Sequence, residues 1–123
     1  MSPLAVLVAL SLAAPPEPVR RAVVVAYNGP ESGALPPLRY ADDDGLRWAQ
    51  LLERLGWSTA LLTVADEDTA RQDGATLART RPPTPAELEQ VADEVGRANA
   101  ADRARGRSTD ALLVFVGHGR RDA

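Results

Sequence analysis

The stretch Ala111-Leu112-Leu113-Val114-Phe115-Val116, followed by Gly117-His118-Gly119, decides the fold class of this chain. Six consecutive apolar residues, with β-branched and aromatic side chains among them, predict a strand that is buried on both faces. In open parallel sheets, ligands bind at the carboxyl ends of such strands. His118 falls at that end and is the only histidine of the chain. The alternative is an ordinary glycine-rich turn in which His118 has no chemical role.

The residues before this stretch predict an alternation of strands and helices. The predicted elements are a strand at residues 22–27, a helix that ends at Gly56, a strand at 57–64, a helix that begins at Thr84 and frays from residue 98, and the strand at 111–116. The polar residues 66–81 predict an exposed loop with at most one helical turn. Alternation of this kind predicts an α/β fold with a parallel sheet and right-handed crossovers.

The composition is that of one soluble globular domain. The chain has 123 residues, of which 45% are hydrophobic and 25% charged, and its net charge is −3. No basic face is apparent, so we predict no binding to nucleic acid. The sequence contains neither a dinucleotide fingerprint nor a P-loop, and we predict no cofactor. It also lacks cysteine, which excludes disulfides, thiolate metal sites and a cysteine nucleophile within this chain.

The amino terminus resembles a secretory signal. Residues 4–14 contain only Leu, Val, Ala and one Ser, and the run is too short to cross a bilayer as a helix, so no stable membrane span is expected. Ser11-Leu12-Ala13 offers a small-x-small cleavage site, although no Lys or Arg precedes the run. We predict a signal peptide at 1–13 and a Pro-rich linker at 14–19. The chain would then be secreted or periplasmic, and otherwise cytoplasmic; the alternative for the run is a buried first strand.

Three stretches, in this order, resemble the caspase and metacaspase family of cysteine peptidases, including its bacterial members. They are residues 22–28, the stretch Leu38-Arg39-Tyr40-Ala41-Asp42-Asp43-Asp44 at the start of a helix, and residues 114–119. The resemblance covers residues 20–119, the N-terminal half of the family's catalytic domain. For residues 20–123 it implies a three-layer caspase-like α/β fold with a mainly parallel sheet, truncated after the third strand. It therefore implies a truncated member, the product of a split gene, or a chain cut short.

The resemblance also implies roles for three residues. His118 would be the base of a Cys-His dyad, and the backbone N–H of Gly119 would help to form the oxyanion hole. Asp44 matches the acid that binds a basic P1 side chain in metacaspases, although Ala41 stands where that pattern often has a cysteine. The implied activity is that of a cysteine-type endopeptidase acting on peptide or protein substrates, with Arg or Lys at P1.

The absence of cysteine leaves several alternatives open. Peptide hydrolysis by this route needs a thiolate, so we expect this chain alone to be inactive and its missing C-terminal half to be a partner in trans. A non-catalytic caspase-like fragment that pairs with a partner chain is the alternative. An α/β-hydrolase would need a G-x-S-x-G motif, which is absent. A metal site of Asp42, Asp43 or Asp44 with His118 is weaker, because adjacent helical residues point in different directions.

The implied truncation has a consequence for the sheet. In the caspase-like order, the third strand lies between the first strand and a fourth that this chain lacks. One edge of residues 111–116 would then be unpaired, and an apolar edge without charge or proline invites association with other chains.

Overall fold

The strands and helices follow one another in the predicted order, with one helix added. A computed structural model of the chain describes residues 14–29, 36–77 and 79–118. Its elements are β1 (Val19–Ala26), α1 (Ala41–Arg54), β2 (Ser58–Thr63), α2 (Glu67–Leu77), α3 (Pro85–Ala104) and β3 (Thr109–Val116). Within this part of the chain the strands form one parallel sheet in the order β2-β1-β3. The prediction of an α/β fold with a parallel sheet is confirmed.

β1 is the centre of the sheet and of the core. Val24 pairs with Leu61 of β2 on one side and with Val114 of β3 on the other. One face of the sheet packs against α1, in a cluster of Ala22, Val24, Leu46, Ala49, Leu52 and Leu61. The opposite face packs against α3, in a cluster of Val23, Val25, Leu62 and Val91. The fold therefore has three layers, and both of its apolar clusters are built on β1.

α1 lies close against the carboxyl end of β1. A β-carbon at Gly45 would overlap with the side chain of Ala26, so the helix approaches the strand closely only because residue 45 has no side chain. The helix ends before Gly56, whose φ of 87° lies in the left-handed region that favours glycine. The predicted stop of this helix at Gly56 is confirmed.

β3 is less buried than its sequence predicts. Leu113 and Phe115 are 61% and 60% exposed, although the apolar run predicts burial on both faces. Within the described residues β3 pairs with β1 alone, and β1 is the strand that both helical layers cover. The prediction of burial on both faces was wrong for these two residues. An apolar run indicates that a strand can be buried on both faces, but it does not indicate where the strand lies in its sheet.

The polar segment 66–81 is largely a helix, and the prediction of a loop is wrong. α2 begins after Asp66, whose carboxylate accepts a hydrogen bond of 2.8 Å from the N–H of Thr69, as an N-cap residue does. After α2, Arg81 forms a parallel bridge with Leu62 at the outer edge of β2. The segment contains few large apolar residues, so hydrophobic periodicity did not reveal the helix.

A buried polar cluster ties the end of α3 to β1. The guanidinium of Arg21 donates to Oδ1 of Asn99 at 2.7 Å and lies 2.7 Å from the carboxylate of Asp102. This contact holds the last turns of α3, which continues to Ala104 beyond the point where the sequence predicts fraying. β1 begins at Val19, three residues earlier than predicted, where the N–H of Val19 donates to the carbonyl oxygen of Ser108 at 2.9 Å. No described helix is long and apolar enough to cross a membrane.

Candidate functional site

The carboxyl ends of the three strands meet at one edge of the sheet, which we call the carboxyl edge. β1 leads to Asn28, β2 leads to Asp66, and β3 leads to His118. The first turn of α1, with Asp42, lies at the same edge because Gly45 packs on the last residue of β1. In open parallel sheets this edge is the one at which ligands bind.

His118 is held in place by a backbone carbonyl group. Its ring atom Nε2 lies 2.9 Å from the carbonyl oxygen of Pro36, and its side chain is partly buried. Because a carbonyl oxygen only accepts hydrogen bonds, Nε2 carries the proton in this arrangement. The neutral ring therefore keeps Nδ1 as its basic nitrogen, and Nδ1 is the atom that can take a proton from another group.

Asp42 is the buried carboxylate of the carboxyl edge. Its Oδ1 accepts a hydrogen bond of 2.8 Å from Nδ2 of Asn28, and its Oδ2 accepts one of 3.0 Å from the N–H of Asp66. Asn28 in turn accepts a hydrogen bond of 2.8 Å from the N–H of Ala41, which caps the start of α1. The carboxylate thus joins the segment after β1, the first turn of α1 and the segment after β2.

The hydroxyl group of Thr69 extends this network into α2. It lies 3.2 Å from Oδ2 of Asp42 and 2.7 Å from Oδ1 of Asp43. Two carboxylates of α1 therefore share one hydroxyl group of α2. The contact fixes the start of α2 against the start of α1.

The pKa of Asp42 reflects two opposing effects. Burial raises this pKa, but hydrogen bonds from Asn28, from the backbone of Asp66 and Asp43, and from Thr69 outweigh burial and hold it below its ordinary value. Asp42 is therefore ionised near neutral pH, and its charge lies at the N-terminus of α1, where the helix dipole stabilises an anion.

Asp44 lies on the opposite, exposed side of α1. Its side chain is 54% exposed and its carboxylate is 3.7 Å from the guanidinium of Arg47. It borders an open groove of about 380 Å³, lined by Asp44, Arg47, Trp48, Leu51 and Val116. Val116 precedes His118 by two residues, so the groove extends from Asp44 to the end of β3. The structure thus places Asp44 in a groove that reaches Val116, and His118 is not among the residues that line it.

Sequence reasoning singled out Asp44 and missed Asp42. The signal was present, because Asp42 precedes Leu46 by four residues and Ala49 by seven, which places it on the buried face of α1. The sequence analysis considered Asp42 only as one of three acids for a metal site with His118, and it did not predict that this carboxylate is buried in a hydrogen-bond network. The contact between His118 and Pro36 left no signal in the sequence.

Two predicted features lie outside the described residues: Gly119, the predicted oxyanion donor, and the predicted signal peptide at 1–13. Among residues 14–29, 36–77 and 79–118, no group of three or more His, Cys, Asp or Glu side chains could hold a metal ion. Both oxygens of the Asp42 carboxylate accept hydrogen bonds, from Asn28 and from Asp66, so this carboxylate belongs to the buried network.

Comparison with known proteins adds no assignment to this site. No protein-family model, no curated protein and no solved structure matches the chain. Its function therefore has to be inferred from its own residues and their geometry.

Proposed function

We propose that this chain is the histidine-bearing half of a caspase-like cysteine endopeptidase. The observation that carries the proposal is the orientation of His118, whose Nε2 bonds to the carbonyl oxygen of Pro36 and whose Nδ1 is left basic at the carboxyl edge. A general base must be oriented toward the proton that it removes, and a backbone carbonyl group provides that orientation. The chain contains no cysteine, so the nucleophile is supplied by another segment or another chain.

The proposed reaction is hydrolysis of a peptide bond through a thioester intermediate. Nδ1 of His118 accepts the proton of the thiol, and the thiolate attacks the carbonyl carbon of the scissile peptide. The C–N bond then breaks, and the histidine returns the proton to the leaving amine. Water then attacks the carbonyl carbon of the resulting thioester while the same nitrogen accepts its proton, the C–S bond breaks to release the carboxylic acid, and the histidine returns the proton to the sulfur. In this proposal the N–H of Gly119 donates to the oxyanion.

Reconstitution with a cysteine-bearing fragment tests the proposal. The isolated chain should not hydrolyse fluorogenic peptides with Arg or Lys at P1. Coexpression with the segment encoded directly downstream, if that segment carries a strand ending in cysteine, should give hydrolysis that thiol-alkylating reagents abolish. Hydrolysis by the isolated chain that resists those reagents would contradict a cysteine peptidase.

The proposed specificity for a basic P1 residue rests on Asp44, whose half-exposed carboxylate borders the groove. In the reconstituted enzyme, Asp44→Asn should lower kcat/KM for Arg-P1 peptides about fivefold, because a half-exposed ion pair contributes on the order of 1 kcal/mol. A neutral P1 substrate should be cleaved at an unchanged rate. Asp43→Asn is the matched control, since Asp43 contacts Thr69 and does not line the groove. A reconstituted enzyme that prefers Asp at P1 would exclude this role of Asp44.

A non-catalytic interaction fragment is the second candidate function. The observation that favours it is the exposed β3, whose apolar side chains Leu113 and Phe115 lie beside an edge without a partner in the described part of the chain. The two candidates differ in one measurement. A complex with the downstream segment that forms stably, contains a reactive thiol and still cleaves no peptide would favour the interaction fragment.

We also propose that the chain is exported, on the basis of residues 4–14. Signal peptidase should cleave after the small-x-small sequence that ends at Ala13, so the mature chain should begin at or near Ala14. N-terminal sequencing of the protein from its host measures this directly. An intact Met1 on protein recovered from the cytoplasm would contradict export.

A further inference from the structure

His118 depends on a segment that lies outside the strands and helices. Its partner is the carbonyl oxygen of Pro36, 2.9 Å from Nε2, and Pro36 is exposed and belongs to neither a strand nor a helix. Proline has no backbone N–H, so Pro36 cannot hold itself in place by donating a hydrogen bond. The orientation of His118 is therefore only as fixed as the residues that follow Pro36.

Asn28 holds those residues through three hydrogen bonds. Its backbone carbonyl oxygen accepts from the N–H of Leu38 at 2.5 Å, and its Oδ1 accepts from the N–H of Ala41 at 2.8 Å. Its Nδ2 donates to Oδ1 of Asp42 at 2.8 Å. The first bond acts two residues after Pro36, and the other two act at the start of α1. A single residue thus holds both ends of the segment that joins Pro36 to this helix.

Asn28 is itself fixed relative to the strand that leads to His118. It follows Tyr27, whose N–H donates to the carbonyl oxygen of Val116 at 3.0 Å and so continues the pairing of β1 with β3. His118 lies two residues beyond Val116. A continuous path of backbone and hydrogen bonds therefore leads from Val116 through Asn28 to Pro36, and from there back to His118.

We propose that Asn28 is a positioning residue that sets the orientation of His118. It holds the segment that presents the carbonyl group of Pro36 to Nε2, and it acts through that carbonyl group and not through contact with the reacting atoms. The inference rests on the proposed function only for its effect on catalysis, because the orientation of the ring is a property of the chain itself.

The side chain of residue 28 has to be an amide. It accepts from the N–H of Ala41 with one atom and donates to the carboxylate of Asp42 with the other. The N–H of Asp66 holds this carboxylate from its other side, so the amide bonds to an acceptor in a fixed place. Asn28→Asp keeps the shape of the side chain but replaces the donor by a second carboxylate. Repulsion between the two carboxylates would then push the segment away from β1.

The ring of His118 reports its own orientation, since it is the only histidine of a 13.1 kDa chain. At about pH 8, where an ordinary histidine is neutral, the wild-type ¹⁵N chemical shifts should be those of one tautomer with the proton on Nε2. The ring should also show a nuclear Overhauser contact with residues 36–37. Asn28→Asp should weaken this contact at least about fivefold and draw the two ring ¹⁵N shifts together, because a released ring samples both tautomers.

Exchange of the two side chains is the matched rescue. In the double variant Asn28→Asp, Asp42→Asn the donor moves to residue 42 and the acceptor to residue 28, so the hydrogen bond between the two side chains is restored and the net charge of the chain is unchanged. An acceptor for the N–H of Ala41 is kept, and the new amide oxygen can accept from the N–H of Asp66. We expect the double variant to recover the wild-type shifts and the contact.

Thr69→Val is the control for a loss of stability alone. It removes a hydrogen bond from the carboxylate of Asp42 on the side of α2, so it weakens the same network from the side away from Asn28. The shifts and contact of His118 should stay as in the wild type.

Two results would overturn the proposal: a folded Asn28→Asp that keeps both wild-type signals, or a folded double variant that does not regain them. If circular dichroism shows that Asn28→Asp is unfolded, Asn28→Ala is measured in its place, because it adds no charge beside Asp42. It should show the same loss, and wild-type signals in this variant would overturn the proposal as well.

The experiment separates this inference from the proposed peptidase, because the spectra of His118 require no nucleophile. If reconstitution gives hydrolysis, Asn28→Asp should lower kcat by on the order of 10–10²-fold with little change in KM, since a misplaced base affects the chemical step. A ring that Asn28 orients, in a chain that shows no hydrolysis after reconstitution, supports the inference and contradicts the peptidase. An active peptidase in which Asn28→Asp keeps the wild-type kcat contradicts the inference.

Discussion

Replacement of His118 by alanine should lower kcat/KM of the proposed reconstituted peptidase by about 10²–10⁴-fold, the usual contribution of a general base. The folded chain should tolerate the change, because the ring is partly buried and bonds to Pro36 alone among the contacts described. Steady-state hydrolysis of an Arg-P1 peptide measures the loss. Added imidazole should restore part of the activity by supplying the missing base, a response that a merely structural role of His118 would not produce.

His118→Gln is the matched variant. Its amide nitrogen can donate to the carbonyl oxygen of Pro36 as Nε2 does, but it has no basic nitrogen in place of Nδ1. We expect it to fold like the wild type and to be as inactive as the alanine variant. If His118→Gln retains most of the activity, proton transfer through Nδ1 is not part of the reaction.

Asp42→Ala should lower the free energy of unfolding by about 3 kcal/mol. The substitution leaves the side-chain amide of Asn28 and the N–H of Asp66 without their acceptor at a fully buried position, and each orphaned donor costs about 1–3 kcal/mol. Urea denaturation measures the change. Asp44→Ala is the control, because Asp44 lies in the same helical turn as Asp42 but is exposed. Its free energy of unfolding should stay within about 0.5 kcal/mol of that of the wild type.

The same carboxylate predicts the acid sensitivity of the fold. The pKa of Asp42 is lower in the folded chain than its ordinary value of 3.8, so the unfolded chain binds the proton more tightly. Its contribution to stability is therefore present above the unfolded pKa and is lost as the pH falls through the folded pKa. Below about pH 4, the wild type should lose stability more steeply than Asp42→Ala. Parallel pH dependences for the two chains would show that Asp42 is not linked to folding.

Two helix boundaries that local sequence determines were predicted correctly, whereas the helix α2 was predicted as a loop. Gly56 and Thr84 mark helix boundaries through backbone conformation and capping, and both act within a few residues. The apolar run of β3 predicted burial on both faces, and the exposure of Leu113 and Phe115 contradicts that prediction, whereas the resemblance had predicted an unpaired edge on the same strand. The strand order β2-β1-β3 is a property of distant pairing, and no periodicity within one segment reports it.

The candidate site was predictable to a similar extent. His118 was found because an apolar run precedes it, and its position at the end of β3 follows from that run. Its contact with Pro36 joins residues 82 positions apart, and no local pattern specifies such a contact. Asp42 was missed because three consecutive acids have the same composition signal, whereas the helix buries one of them and exposes another. The position of each acid around the helix relative to Leu46 distinguishes the buried Asp42 from the exposed Asp44, whereas charge alone does not.

The central position of β1 also orders the events of synthesis. Its partner β2 follows after one helix, whereas its partner β3 is synthesised last. Val19 therefore cannot pair with Thr109 until the end of the chain is made. A nascent chain can assemble β1, α1 and β2 early, with Ala22 and Val24 already packed under α1. The side of β1 that pairs with β3 then stays open until residues 109–116 have left the ribosome. Closing so long a loop is also slow compared with local pairing. The most buried strand of the finished fold is therefore the one that a chaperone would have to protect longest during translation.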